Sequence, residues 1–214
     1  AAPVVEMSAG ELRWNGASLV RFVAGRFAAE ALDGHVVRRL DEVARPIFRA
    51  ARLEMRAPGG FVTVDLRADA TLRWGVVARA MLTLALAGAD RVDVDVMWGD
   101  GAGAGAGADA GTKSIVRALA RHRGIKWSAY PTVWLTRQGY AVYTHPSGRV
   151  AHRLKAAGTA WVAALAAIRE VFAGERNLAI MAEDAILFRD MLRVRAHARA
   201  LGFSAAVFRP GLFR

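Results

Sequence analysis

The same succession of strand, helix and strand occurs twice in this chain, 114 residues apart. In the first copy, FVTVDL precedes a helix predicted over 72–87 and the strand RVDVDVM; in the second, NLAIMA precedes a helix predicted over 185–201 and the strand AAVF. At this offset four pairs coincide: Asp69 with Glu183, Trp74 with Phe188, Arg79 with Arg193, and Gly88 with Gly202. We infer a tandem duplication. Each unit is expected to pair its two strands in parallel through a right-handed crossover.

A predicted hairpin opens each copy. VVEM and ELRW surround a turn at Ala9-Gly10, and TVWLT and YAVYT flank Gln138-Gly139. Helices are predicted over 19–31, 36–51 and 159–172, with Pro46 kinking or restarting the second of them. The expected fold is α+β, with two repeated small domains. Each would be a mixed sheet, built from an N-terminal hairpin and a strand–helix–strand unit, with helices packed on one face.

A run of glycine and alanine separates the copies, GDGAGAGAGADAGTKS. A nucleotide-binding P-loop requires the lysine directly after the last glycine, but Thr112 stands between Gly111 and Lys113. The glycine spacing does not fit a dinucleotide-binding loop either. The run therefore predicts a flexible linker. The expected organisation is a first domain over 1–98, a linker over 99–112 and a second domain over 113–214.

The net charge of +11 lies entirely in the second half of the chain. Residues 1–100 hold 13 arginines and 13 acids, whereas residues 101–214 hold 17 basic and 6 acidic residues. This asymmetry predicts an anionic partner for the second half, whether nucleic acid, a lipid surface or a cell-wall polymer. The absence of cysteine excludes a disulfide scaffold and thiolate metal sites.

The best candidate for binding such a partner begins directly after the linker. Three cations spaced four residues apart would share one face of a leading basic helix, and two more extend the charge; the five are Lys113, Arg117, Arg121, Arg123 and Lys126. Trp127 and Tyr130 add aromatic rings that could stack on sugars or bases. The alternative is an amphipathic connector with a solvated basic face. A second run, from Arg189 to Arg199 on the final helix, is interpreted first as a solvated outer face.

The segment VDLRADATLRWGVVARAMLTLALAGADRVDVDVM resembles the periplasmic domain of the ExbD/TolR family. The matching features are Ala68-Asp69, Trp74-Gly75 at the start of the helix, and Gly88 before the last strand. VVEMSAGELRWNGASL resembles the opening hairpin of the same family. In the second copy, Arg189 replaces the family glycine and Glu183-Asp184 replaces the single aspartate.

The resemblance implies a periplasmic module of a proton-driven motor or energy-transducing transport complex. Such a module would work with polytopic subunits of the ExbB/TolQ type and contact a periplasmic protein or peptidoglycan. The proton-carrying aspartate of the family belongs to a transmembrane helix that this chain does not contain, so Asp69 is expected to be a cap or a first-turn charge instead. The two copies could pair as an internal pseudo-dimer or across a homodimer. The chain opens AAPVV, which leaves room for an upstream signal or an inner-membrane anchor.

The sequence predicts no active site, metal site or cofactor. Its five histidines have no HExxH spacing, and no serine lies in a G-x-S-x-G motif. The alternative functions are a nucleic-acid-binding protein that uses the basic second half and, third, a nucleotide-handling enzyme built on the glycine run. Salt-sensitive DNA binding would favour the first alternative.

Overall fold

A computed structural model describes residues 2–55, 60–97, 114–116, 131–137, 140–144, 150–155 and 161–208. The chain divides into two compact units, Ala1–Arg121 and His122–Arg214. Both are mixtures of helix and sheet, so the predicted α+β class is confirmed. The predicted linker and the five nominated cations, Lys113, Arg117, Arg121, Arg123 and Lys126, lie outside the described residues.

The first unit contains a seven-stranded mixed sheet of order β4-β3-β2-β1-β7-β8-β9. A separate two-stranded hairpin, β5-β6, precedes the first helix. The strands are β1 Val4–Met7, β2 Glu11–Trp14, β3 Ala17–Val23, β4 Arg26–Phe27, β5 Leu32–Asp33, β6 Val36–Val37, β7 Thr63–Asp69, β8 Arg91–Met97 and β9 Ser114–Val116.

Two helices cover this sheet, α1 Arg38–Glu54 and α2 Trp74–Ala87. They contact each other, and α2 also contacts β6, β7 and β8. Helix α1 buries one stripe at a spacing of four residues, formed by Leu40, Ala44 and Phe48. Helix α2 is buried nearly all round, with eleven of its fourteen residues in the core. The core of the unit therefore centres on α2.

The second unit contains a five-stranded sheet of order β12-β11-β10-β13-β14. Its elements are β10 Thr132–Leu135, β11 Tyr140–Thr144, β12 Val150–Lys155, α3 Trp161–Val171, β13 Asn177–Ala182, α4 Phe188–Ala200 and β14 Ala205–Phe208. The two helices contact each other, and α4 packs on β13 and β14. Only four residues of α4 are buried: Phe188, Met191, Val194 and Ala198.

The two sheets share one arrangement over five strands. In each, an antiparallel three-stranded meander joins two further strands in parallel, β3-β2-β1-β7-β8 in the first unit and β12-β11-β10-β13-β14 in the second. The register also repeats, since Thr63 pairs with Arg91 and Asn177 with Ala205, positions that differ by 114. The backbone bonds that end α2 and α4 recur at the same offset, with Gly88 N–H donating to the Ala85 carbonyl and Gly202 N–H to that of Arg199.

The helix predicted over 19–31 is wrong. The chain forms β3 and β4 there, followed by a short 3-10 helix at Ala29–Ala31. Asn15 and Gly16, with φ of 48° and 85°, form a two-residue turn that returns the chain antiparallel beside β2. Both values are positive, as a type I′ hairpin requires. Ala24 and Gly25 repeat this conformation between β3 and β4, with φ of 49° and 69°.

The leading basic helix predicted from Lys113 does not begin there. Ser114–Val116 form β9, which pairs antiparallel with β8 at the edge of the first sheet. This strand belongs to the first compact unit, Ala1–Arg121. The physical reason is that the outer edge of β8 carries N–H and C=O groups that need partners, and the β-branched Ile115 and Val116 suit a strand.

Helix α1 continues through Pro46 without an interruption, where the sequence predicts a kink or restart. The hairpin β5-β6 and strand β12 have no counterpart among the predicted elements. The predicted helix over 159–172 is observed as α3 within its described part.

Candidate functional site

The acidic end of β7 forms a local turn rather than a helix cap. Asp69 Oδ1 accepts hydrogen bonds from the backbone N–H and the hydroxyl of Thr71, at 2.7 and 2.6 Å. The Asp69 carbonyl accepts a further bond from Leu72 N–H. The N-cap of α2 is Arg73, whose side chain makes no capping bond. Asp69 therefore shapes the strand-to-helix connection as an Asx turn.

The aromatic and glycine positions of the same segment are structural. Trp74 has no exposed surface. Gly88 ends α2 with φ of +119°, in the left-handed region. Arg52 Nη2 of α1 lies 2.8 Å from the Gly88 carbonyl and 2.7 Å from Asp90 Oδ1, while Asp90 Oδ2 accepts the Val62 N–H at 3.0 Å. These bonds fasten α1 to the C-terminal end of α2 and to the start of β7.

The second unit places different side chains at the matching positions. Glu183 Oε2 accepts the backbone N–H of Arg137 at 2.9 Å and so ties the ends of β13 and β10 together. Gly202 again has a positive φ, +95°. Arg169 of α3 lies against it, with its guanidinium 5.1 Å from the centre of the Phe203 ring and its Nη1 2.6 Å from the Glu175 carbonyl. In each unit an arginine of the first helix lies near the glycine at the end of the second helix, but only Arg52 donates to that glycine's carbonyl.

A groove of about 410 Å³ lies between the C-terminal ends of α1 and α2. Its lining includes Phe48, Leu86 and Gly88, together with Arg45, Arg49 and Arg52. Two of these arginines are engaged, Arg52 with Asp90 and Arg45 with Asp41. The hydrogen bonds to Asp41, at 3.0 and 2.7 Å, hold the pKa of Arg45 above its usual value.

Arg49 differs from the other two arginines. It is exposed, and it makes no ion pair with any residue that the structure describes. The groove thus combines an apolar lining with one available cation. Sequence reasoning missed it because its two walls come from helices about 40 residues apart in the chain, a distance over which helical periodicity carries no information.

The arginine run of α4 forms a second charged surface. Arg189, Arg193 and Arg199 are exposed, and Arg195 is partly buried. Burial, with a smaller contribution from the charge of Arg199, lowers the pKa of Arg195 to about 10. The only acid on the helix is Asp190, 3.3 Å from Arg193.

The described part of the chain contains no cluster of three or more histidine, cysteine or acidic side chains suited to a metal ion. Nor does any helix within the described ranges have the length and apolar character needed to cross a bilayer. No protein-family model matches this chain, and no curated protein matches it.

Proposed function

We propose that this chain is a non-enzymatic, periplasmic tandem module of an ExbD/TolR-like motor or energy-transducing complex. It would act through contacts with proteins and with anionic envelope material. Its polytopic partners, of the ExbB/TolQ type, would be reached through a segment outside this chain that anchors the protein to the inner membrane. The sequence resemblance supplies the family, and the repeated topology supports it.

The observation that carries the proposal is the five-strand order common to both units. Each unit contains the hairpin and the strand–helix–strand segment that the sequence predicts, with a third antiparallel strand that it does not predict, and the β-α-β register recurs at an offset of 114. The residues that carry the resemblance, Asp69, Trp74 and Gly88, have structural roles. A motif made of such residues indicates a shared fold, and function must then lie on the surfaces.

We assign the contact with a protein partner to the first unit. Its groove places Arg49 beside the apolar Phe48 and Leu86. A partner segment that presents a carboxylate beside apolar side chains would complement this surface in both charge and polarity. The basic second unit would contact anionic material. The two units would pair within one chain or between copies.

The test is purification of the tagged native protein from membranes of its own host, followed by identification of the proteins that accompany it. We expect polytopic ring subunits to be recovered and Arg49→Glu to reduce their recovery. Arg39→Glu is the matched control, because Arg39 is exposed on the same helix but lies outside the groove and pairs with Glu42.

A reporter that is active only in the periplasm, fused to the native C-terminus, gives the location independently. An inactive reporter, together with DNA binding that weakens steeply with salt, would refute the proposal and favour the nucleic-acid alternative.

A further inference from the structure

Helices α2 and α4 occupy the same place in the fold but carry different surfaces. At the 114-residue offset, Arg195 and Arg199 of α4 correspond to Met81 and Ala85 of α2, which are 1% and 2% exposed. In the second unit these two positions are partly buried and exposed, respectively. The fold therefore leaves α4 a broader accessible face than α2, and that face holds cations.

The exposure of a helix surface does not by itself explain the excess of positive charge on α4, as a comparison with α1 illustrates. Helix α1 holds five exposed arginines and three acids, and three of the arginines have carboxylates close by: Arg39 with Glu42 at 3.0 Å, Arg45 with Asp41 at 2.7 Å, and Arg52 with Asp90 at 2.7 Å. Arg38 donates to the Leu32 carbonyl instead, and Arg49 forms no ion pair within the described residues. Such alternating charge is typical of a solvated helix face.

Helix α4 has four arginines and one acid. Within the part of the chain that the structure describes, Arg189 and Arg199 form no ion pair. Arg195 and Arg199 are four residues apart on the helix, a spacing at which like charges repel. The same repulsion contributes to the lowered pKa of Arg195. An array of this kind costs folding stability that an anionic partner would recover.

We propose that the arginine face of α4, defined by Arg189, Arg193, Arg195 and Arg199, docks on an anionic phospholipid bilayer. The four side chains extend about 15 Å along the helix axis, the rise of ten residues. The helix has a single phenylalanine, tyrosine or tryptophan, Phe188, and it is fully buried. A nucleic acid would thus find phosphate contacts there but no such ring on which to stack a base.

The choice of a bilayer rather than a nucleic acid rests on the proposed periplasmic function. A basic residue near an anionic membrane surface strengthens adsorption about fivefold. Three exposed arginines therefore correspond to roughly a hundredfold.

The experiment is sedimentation of the full chain with vesicles of phosphatidylcholine, alone or mixed with phosphatidylglycerol, at low and at physiological salt. We expect adsorption only to the phosphatidylglycerol vesicles and weaker adsorption as salt rises. Replacing Arg189, Arg193 and Arg199 together by glutamine should reduce the partition coefficient about a hundredfold. The same three positions changed to lysine should retain adsorption, because a bilayer surface attracts charge and does not require the planar guanidinium.

The matched control replaces Arg39, Arg45 and Arg49 of α1 by glutamine, which removes the same net charge from the first unit. It should adsorb like the wild type, and circular dichroism should confirm that each variant is folded. An equal loss in both glutamine variants would overturn the proposal, because net charge alone would then explain binding. Loss in the lysine variant, absence of adsorption, or preference for a double-stranded oligonucleotide over vesicles would also overturn it. Recovery of ring subunits with the native protein is a separate readout, so this proposal can fail while the proposed function stands.

Discussion

Thr83 joins the β5-β6 hairpin to the centre of α2, and this contact allows a quantitative test of the core of the first unit. Its hydroxyl donates to the Arg79 carbonyl at 2.7 Å and accepts the Val37 N–H at 2.9 Å. Thr83 and Val37 have no exposed surface. Valine has nearly the same shape as threonine, so Thr83→Val removes the hydroxyl and leaves the Val37 N–H buried without its acceptor.

We expect Thr83→Val to lower the free energy of unfolding of the first unit by about 1–3 kcal/mol, the cost of a buried unsatisfied donor. Thr83→Ser keeps both hydrogen bonds and loses one methyl group, so it should cost only about 1 kcal/mol. Urea denaturation of the full chain, followed by circular dichroism, measures the difference. Hydrogen exchange at the Val37 amide reports on the bond itself, and exchange there should become faster in the valine variant only. Equal stability of the two variants, with the Val37 amide still protected in both, would refute this account.

Three further outcomes follow from single contacts. Gly88→Ala should cost about 1–2 kcal/mol of stability, because an L-residue is strained at a φ of +119°; Gly10→Ala, in open space without a positive φ, should leave the melting temperature unchanged. Phe48→Ala should cost about 3–5 kcal/mol, measured by urea denaturation, because it deletes a buried ring. Hydrogen bonds from Ser18 and then Arg13 lower the pKa of Glu11. Ser18→Ala should raise that pKa in an NMR titration, and the stability that the ionised carboxylate gives the wild type should be lost as pH falls through its folded pKa.

The two strand–helix–strand segments, whose strands pair in parallel, could be predicted because the sequence patterns that indicate them are local and redundant. Alternating valines in RVDVDVM, a long apolar run and a glycine at its end specify a strand, a helix and a helix stop without reference to other segments. The hairpin signal at Asn15-Gly16 was equally local, yet the apolar residues that follow it, among them Leu19, Phe22 and Val23, have a spacing compatible with a helix. The turn prevails because both of its residues take a positive φ, and this commits the chain to an antiparallel return.

The surfaces could be predicted only in part. The arginine run of α4 is visible in the sequence, but the carboxylate partners of three α1 arginines are not all local, since Arg52 and its partner Asp90 are 38 residues apart. The predicted identity of Ser114–Val116 as a helix failed for a related reason. The four-residue spacing of Lys113, Arg117 and Arg121, which predicts a helix, is a local pattern. The pairing of this segment with the edge of β8 is a contact between strands that are distant in the chain.

The connection between the meander and the first helix differs between the units, and it links the fold to the uneven charge. In the first unit this connection covers residues 24–37 and includes the β5-β6 hairpin, whose β6 contacts α2; in the second it covers only 156–160. The contact of β6 with α2 adds to the burial of that helix, since the Val37 N–H donates to the Thr83 hydroxyl. A helix buried nearly all round, as α2 is, cannot carry unpaired charge because desolvation would cost several kcal/mol per ion. Helix α4 buries only one stripe and is free of that constraint. The proposed anion-binding role would therefore have a structural basis in the second unit, because its second helix has the accessible surface on which four arginines can be placed.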